Sequence, residues 1–269
     1  MKTSFRGAVD AAIYLVAFFF LQIVPTALFT LCLGDTALIL PLGMGVSAVL
    51  TIILFHFARF APLGSGYIKT RPCALLAWLA VLSVSFIAPS QLFEDMIPTE
   101  MPGQTAAALS AIMSHPLGLL VVGILAPVSE EMVFRGAILR RLLSCYASPW
   151  LAIAVSAFLF GLVHGNAPQF VHAMVIGMLL GWLYWRTGSI LPGLVVHWAN
   201  NLTAFLVCTF CSGGTEASLP EIFGGNILLM YSFTAVSTLV AAFSLWRVVC
   251  NVRSGERAHG KGCKENIEL

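Results

Sequence analysis

The feature that most constrains this chain is a succession of apolar runs, each about 17–25 residues long, the length of helix that crosses the hydrocarbon core of a bilayer. Backbone N–H and C=O groups in hydrocarbon have to be satisfied within the segment, so the runs read as helices. Eight spans are expected, over roughly 8–33, 36–58, 73–89, 107–129 with a helical extension to about 144, 149–165, 168–185, 189–210 and 226–248. Charged residues make up 10% of the chain against about 25% in a soluble domain, which excludes an ordinary soluble fold. The expected class is all-α, a polytopic membrane helical bundle with about eight transmembrane helices.

The charges order themselves along this frame. Lys2 and Arg6 precede the first span, Arg59, Lys69 and Arg71 separate the second from the third, and Arg135, Arg140 and Arg141 close the fourth. Arg186 follows the sixth, and Arg247, Arg253, Arg257, Lys261 and Lys264 end the eighth and fill the tail. The alternate connections hold Asp35, Glu94, Asp95, Glu100, Glu216 and Glu221 with no Lys or Arg. The positive-inside rule then predicts cytoplasmic termini on both ends, which an even number of spans requires. The first span is too long, and runs too directly into the second, for a cleaved signal peptide, so it is expected to remain as a helix. The polar tail from Asn251 is expected to be disordered. Seven cysteines are scattered, and Cys208 with Cys211 reads as helix wall, because no second pair completes a metal site.

Ionisable groups inside a span cost about 2.5–3.5 kcal/mol each on insertion scales and are functional candidates by default. The stretch "APVSEEMVFRGAILRR", from Ala126 to Arg141, therefore needs a reason for two adjacent carboxylates. Glu131 and Arg135 stand four residues apart with the acid first, the favoured order for a pair on one helical face. Glu130 points about 100° away and lacks that partner. The spacing predicts a structural Glu131 and a Glu130 left to act. With the turn between the fourth and fifth spans centred near residue 147, Glu130 and His164 each lie 17 residues from it and reach the same height. Phe160 is one turn before His164 and packs beside it, while His197 and Asn201 share a face of the seventh span. A carboxylate beside an imidazole is a water-activating pair, and a second histidine with an amide supplies donors for an oxyanion. This set suits amide hydrolysis without a covalent intermediate.

At these residues the sequence resembles the CPBP family of intramembrane proteases, the CAAX protease and bacteriocin-processing, or Abi, family. The motifs read Glu130-Glu131-x-x-x-Arg135, Phe160-x-x-x-His164 and His197-x-x-x-Asn201, joined by a segment with Gly177, Gly181, Thr187, Gly188, Ser189 and Pro192. The resemblance covers about residues 116–205. It implies an intramembrane, metal-independent, glutamate-type endopeptidase with no cofactor. Glu130 and His164 would activate water, His197 and Asn201 would form the oxyanion site, and Glu131, Arg135 and Phe160 would support them. The expected division is into N-terminal transmembrane helices 1–3 at 1–106, a catalytic helical core at 107–248 that resembles the family and a polar cytoplasmic tail at 249–269. The expected partners are a peptide or membrane-protein substrate and the lipid bilayer, with no nucleic acid, and the expected location is a bacterial plasma membrane. Family precedents include prenyl endopeptidases that remove the last three residues after a prenylated cysteine, and bacterial members tied to peptide processing or self-immunity. Trp198 stands where the family commonly has a smaller residue, and Asn200 adds an amide outside the pattern.

Other readings stand beside this one. The polar set would also serve a non-catalytic immunity or scaffold protein, or a proton-coupled transporter, whose repeat symmetry this chain does not show. A zinc peptidase would use two His and a Glu, but no His-Glu-x-x-His helix is present. His172 reads as a packed or cavity histidine, and His56, His115 and His259 sit near span ends or in the tail. Gly177 and Gly181 read as a close-packing pair, and Trp182, Tyr184 and Trp185 as an interfacial belt.

Overall fold

The computed structural model describes residues 2–34, 38–61, 74–96, 102–210 and 218–265, with side chains described from 5 to 252. The charges read at Asp35, Lys69, Arg71, Glu100 and Glu216, and the cysteines Cys73 and Cys211, lie outside the described residues. Among those described, all regular structure is helical: α1 (Lys2–Leu33), α2 (Ile39–Phe57), α3 (Ala74–Asp95), α4 (Gly103–Ser114), α5 (Pro116–Cys145), α6 (Pro149–Leu162), α7 (Ala167–Thr187), α8 (Leu191–Phe210), α9 (Leu219–Ile222) and α10 (Ile227–Glu265). Seven of them, α1, α2, α3, α5, α7, α8 and α10, are long and apolar enough to cross a membrane. This is a multi-pass all-α membrane bundle.

The fifth expected span is shorter than its apolar run. α6 has 14 residues, about 21 Å of helix against a hydrocarbon core of about 30 Å. His164 follows its end, so the bend into α7 comes before α6 is long enough to cross the hydrocarbon core. Such non-helical backbone is tolerated there only inside protein or along a cavity. Asn166 then caps α7 by accepting from Gln169 N–H at 3.0 Å.

Three other boundaries differ from the sequence reading, one of them that of α10, which runs on to Glu265 through the polar tail expected to be disordered. The expected span beginning at 107 divides into α4 and α5, because His115 is extended (φ −90°, ψ 139°) ahead of Pro116. The residue before a proline avoids helical backbone, and the His115 ring, accepting from Leu117 N–H at 3.1 Å, caps the new start. Conversely, α3 continues through Pro89 to Asp95, which carries Glu94 from the expected connection onto a helix.

α5 is the central helix, with 56% of its apolar window buried against 11% for peripheral α1. Met132, Val133, Phe134, Ile138 and Leu139 of α5 form one core with Phe18 of α1, Phe55 of α2 and Ile153 and Phe160 of α6. A second core joins Leu75 and Leu79 of α3 to Leu180 of α7, Val196 of α8 and Val248 of α10. The small residues of α7 behave as read from sequence: a Cβ on Gly177 would lie 3.1 Å from Ala157, and one on Gly181 3.0 Å from Ile153, so α6 packs directly on this stripe.

α5 is not a uniform α-helix. Two π-helical segments, Val121–Leu125 and Met132–Leu139, bracket an α-helical turn, Ala126–Glu131, that carries both glutamates. Pro127 accounts for the first segment. It has no N–H to donate and its ring crowds the carbonyl four residues back, at Gly123. Ala126 N–H instead reaches five residues back to Val121, and the carbonyl of Val122, whose partner at that spacing would be Pro127, is left to a side chain. Such π bulges recur at functional sites.

Candidate active site

Glu131 and Arg135 form the pair that their spacing predicts. Arg135 Nη1 donates to Glu131 Oε1 at 2.8 Å, and both residues are fully buried. The guanidinium also lies over the Phe160 ring, 4.4 Å from its centroid, a cation–π contact strengthened by burial. Arg135 Nη2 reaches the Gly177 carbonyl at 3.4 Å. α8 approaches Glu131 through Gly193, where a Cβ would sit 2.6 Å from Glu131 Oε2. No side chain fits at that position without moving the carboxylate.

Glu130 departs from the expected pairing. The histidine in ion-pair reach of it is His197, with Nε2 at 3.5 Å from Glu130 Oε2. On its other edge His197 Nδ1 lies 3.2 Å from Glu131 Oε1. His197 thus spans the two carboxylates, and Glu130 and His164 make no direct ion pair. In its doubly protonated form His197 donates to both.

His164 is oriented by backbone. Its Nδ1 is 2.9 Å from the Phe160 carbonyl, which only accepts, so Nδ1 carries the proton and Nε2 presents a lone pair. Phe160 unites the site: its ring meets His164 edge-on at 5.2 Å, His197 at 5.6 Å and Phe134 at 5.1 Å. One aromatic ring therefore sets the positions of two histidines and an arginine, and it is itself buried.

Asn201 and Trp198 of α8 turn toward the first π segment. Asn201 Nδ2 donates to the Val122 carbonyl at 3.0 Å and Trp198 Nε1 to the Ile124 carbonyl at 3.2 Å. The carbonyl freed by Pro127 thus fastens the asparagine to the first π segment, one turn along α8 from His197, and Trp198, the departure from the family pattern, fastens the same helix pair. Pro127 and Gly193 were not singled out from the sequence. A proline inside an apolar run was the available signal for the first, whereas nothing local marks the second. Among the described residues no group of three His, Cys, Asp or Glu side chains is arranged to hold a metal ion.

Residues 112–203, which contain all three motifs, match the family model for Rce1-like type II CAAX prenyl endopeptidases. The similarity to this family covers 92 of the chain's 269 residues. The resemblance read from the motifs is borne out. The chain is similar to YdiL of Bacillus subtilis (strain 168), whose name provisionally describes it as a membrane peptidase, at 30% identity over 36% of this chain and 39% of YdiL. It is similar also to the UPF0177 protein YxdF of Lactococcus lactis subsp. lactis (strain IL1403), at 28% identity over 30% of this chain and 45% of YxdF. The matches span less than half the length of either relative. No solved structure matches the chain.

Proposed function

We propose that this protein is an intramembrane endopeptidase that cleaves a peptide bond in a membrane-associated peptide or protein by glutamate-assisted attack of water, without a metal. The observation that carries this reading is the set of polar side chains linked through His197: Phe160 packs on both histidines, Glu130 reaches His197, and Asn201 follows it by one turn of α8. It combines a carboxylate with no guanidinium partner (Glu130), an imidazole with an unused Nε2 lone pair (His164) and two side chains able to donate (His197 and Asn201). Water held between Glu130 and His164 Nε2 would lose a proton to the carboxylate as its oxygen adds to the scissile carbonyl. Glu130 would return that proton to the leaving nitrogen. His197 Nε2–H, whose 3.5 Å contact with Glu130 is at the outer limit of a hydrogen bond, and the second N–H of Asn201 would turn to the oxyanion. Glu131 and Arg135 would hold His197 in place.

The chemistry is assigned to the 107–248 core, with 1–106 as the N-terminal transmembrane helices and 249–269 as a cytoplasmic tail. The charge distribution supports a plasma-membrane orientation with both termini in the cytoplasm. The test uses purified protein with internally quenched peptides ending in a CAAX sequence, one farnesylated and one not, together with mass spectrometry of peptides that accumulate in membranes carrying Glu130→Gln. Cleavage by wild type that is lost in Glu130→Gln and His164→Ala, and that survives chelator, is the expected result. Turnover near wild type in either variant would refute the assignment, and loss to chelator with recovery on zinc would make the site a metallopeptidase.

A further inference from the structure

A second polar cluster begins outside the family motifs and runs into the third of them. Glu94 of α3 and His172 of α7, 78 residues apart in sequence, meet with Oε1 and Nδ1 2.6 Å apart. The other edge of the ring, Nε2, is 3.3 Å from Asn200 Oδ1, Asn200 Nδ2 donates to Asn201 Oδ1 at 3.2 Å, and Asn201 Nδ2 donates to Val122 O at 3.0 Å. Four side chains from three helices thus form one line that ends on the carbonyl Pro127 has freed.

The direction of every bond in this line follows from its end. A backbone carbonyl only accepts, so Asn201 must turn its nitrogen to Val122 and its oxygen to Asn200. Asn200 then gives its nitrogen to Asn201 and its oxygen to His172, and His172 must carry a proton on Nε2. A further proton has to lie between Nδ1 and Glu94, as imidazolium with carboxylate or as imidazole with carboxylic acid. If it is lost, the one remaining ring proton moves to Nδ1 to meet the carboxylate, since the charge-assisted bond is the stronger. Nε2 then turns a lone pair on the Asn200 oxygen, and the line no longer holds Asn201.

From these contacts we infer that Glu94 and His172 are positioning residues, whose shared proton acts through Asn200 to hold the Asn201 amide with one N–H facing the reacting centre. This rests on the role given to Asn201 under Proposed function. Of the titratable groups on the packed helices, Glu94 is the one facing His172 from α3. Glu130, Glu131, Arg135 and His197 of α5 and α8 engage one another, and His164 engages the Phe160 carbonyl. A cavity of about 260 Å³, walled by Phe86, Pro89, Ser90 and Phe93 of α3 and by Val171 and Val175 of α7, opens onto Glu94 and His172. It has room for the water through which their proton exchanges.

Two measurements on the full-length protein test this. Nitrogen NMR of ring-labelled histidine, with His172 assigned by its absence in His172→Gln, reads the tautomer without any need for activity. Protonated Nε2 at neutral pH supports the line, and a lone pair on Nε2 overturns it whether or not the protein cleaves peptides. Turnover of the quenched farnesylated peptide is the second readout, with Glu130→Gln as the inactive reference that separates failure of the enzymatic reading from failure of this one. His172→Leu should lower kcat roughly tenfold with KM unchanged, less than the 10²–10³ of deleting an oxyanion donor outright. His172→Gln, whose amide N–H can replace Nε2–H, should retain kcat. Glu94→Gln, whose amide can donate to Nδ1, should keep the ring proton on Nε2. Wild-type kcat in His172→Leu, or an unprotonated Nε2 in Glu94→Gln, would overturn the proposal. If His172→Leu does not fold, the tautomers of wild type and of Glu94→Gln decide it.

Discussion

Separating Glu131 from Arg135 tests the division of labour between the two adjacent glutamates. Both members of the pair are fully buried, and their 2.8 Å bond is the shortest contact Arg135 makes. Arg135→Met removes that bond, the guanidinium face on Phe160 and the contact with the Gly177 carbonyl. It leaves a buried carboxylate with His197 Nδ1 at 3.2 Å as its remaining partner. Orphaning one member of a buried pair costs about 3–5 kcal/mol, and for a chain of this size each kcal/mol moves Tm by about 2–4 °C. A fall of roughly 6–20 °C is expected for Arg135→Met. Glu131→Gln should sit at the lower end, because the amide oxygen still accepts from Arg135 and from His197. The double change Glu131→Gln with Arg135→Met removes both charges while keeping an acceptor for His197, so it should recover much of the loss. Glu130→Gln should shift stability by less than about 1 kcal/mol, since its side chain is 19% exposed and its one ion-pair contact is 3.5 Å long. The assay is loss of the monodisperse peak after heating detergent-solubilised protein, run on all four variants. Equal destabilisation by the three single changes, with a double variant no better than their sum, would refute the assignment of a structural role to Glu131 and a chemical one to Glu130.

Four further outcomes follow from the same contacts. His197→Ala and Asn201→Ala should each lower kcat by roughly 10²–10³, and an unchanged kcat with a raised KM would make them recognition residues. Gly193→Ala places a methyl 2.6 Å from Glu131 Oε2, so it should destabilise by about 1–3 kcal/mol and lower activity, as thermal melting and peptide turnover would show. Pro127→Ala restores a donor for the Val122 carbonyl and releases Asn201 from it. The variant should match or exceed wild type in thermal stability yet lose activity, and full activity would show that the freed carbonyl does not matter. In a cysteine-free background, probes at Arg59→Cys after α2 and Met96→Cys after α3 should react from opposite sides of the membrane, and labelling of both from one side would break the topology.

How much of this was legible in the sequence depends on whether the determinant was local. The apolar runs specified a helical membrane bundle because a bilayer admits few alternatives. The Glu131–Arg135 pair and the Gly177–Gly181 stripe are i, i+4 relations within one helix, where spacing alone sets the geometry, and the packing of Phe160 with His164 keeps that spacing although His164 lies just past the end of α6. The pairing of Glu130 was less accessible. Equal distance from a turn fixes height along a hairpin but not rotation about each helix, and a π segment on either side of the glutamates changes that rotation. His197 thereby takes the place between the carboxylates, and His164 stands across Phe160 with its lone pair turned from the backbone. The contact of Glu94 with His172 was inaccessible, because it needs α3 to continue through Pro89 and joins helices with no periodic relation. Pro127 connects these cases. It was visible in the sequence as a break in a hydrogen-bond ladder, but its effect appears only when α8 brings the Asn201 amide to the carbonyl left without a partner. A local defect on α5 thus becomes the attachment point for a side chain 79 residues away, and through Asn200 for a proton-holding pair outside the motifs.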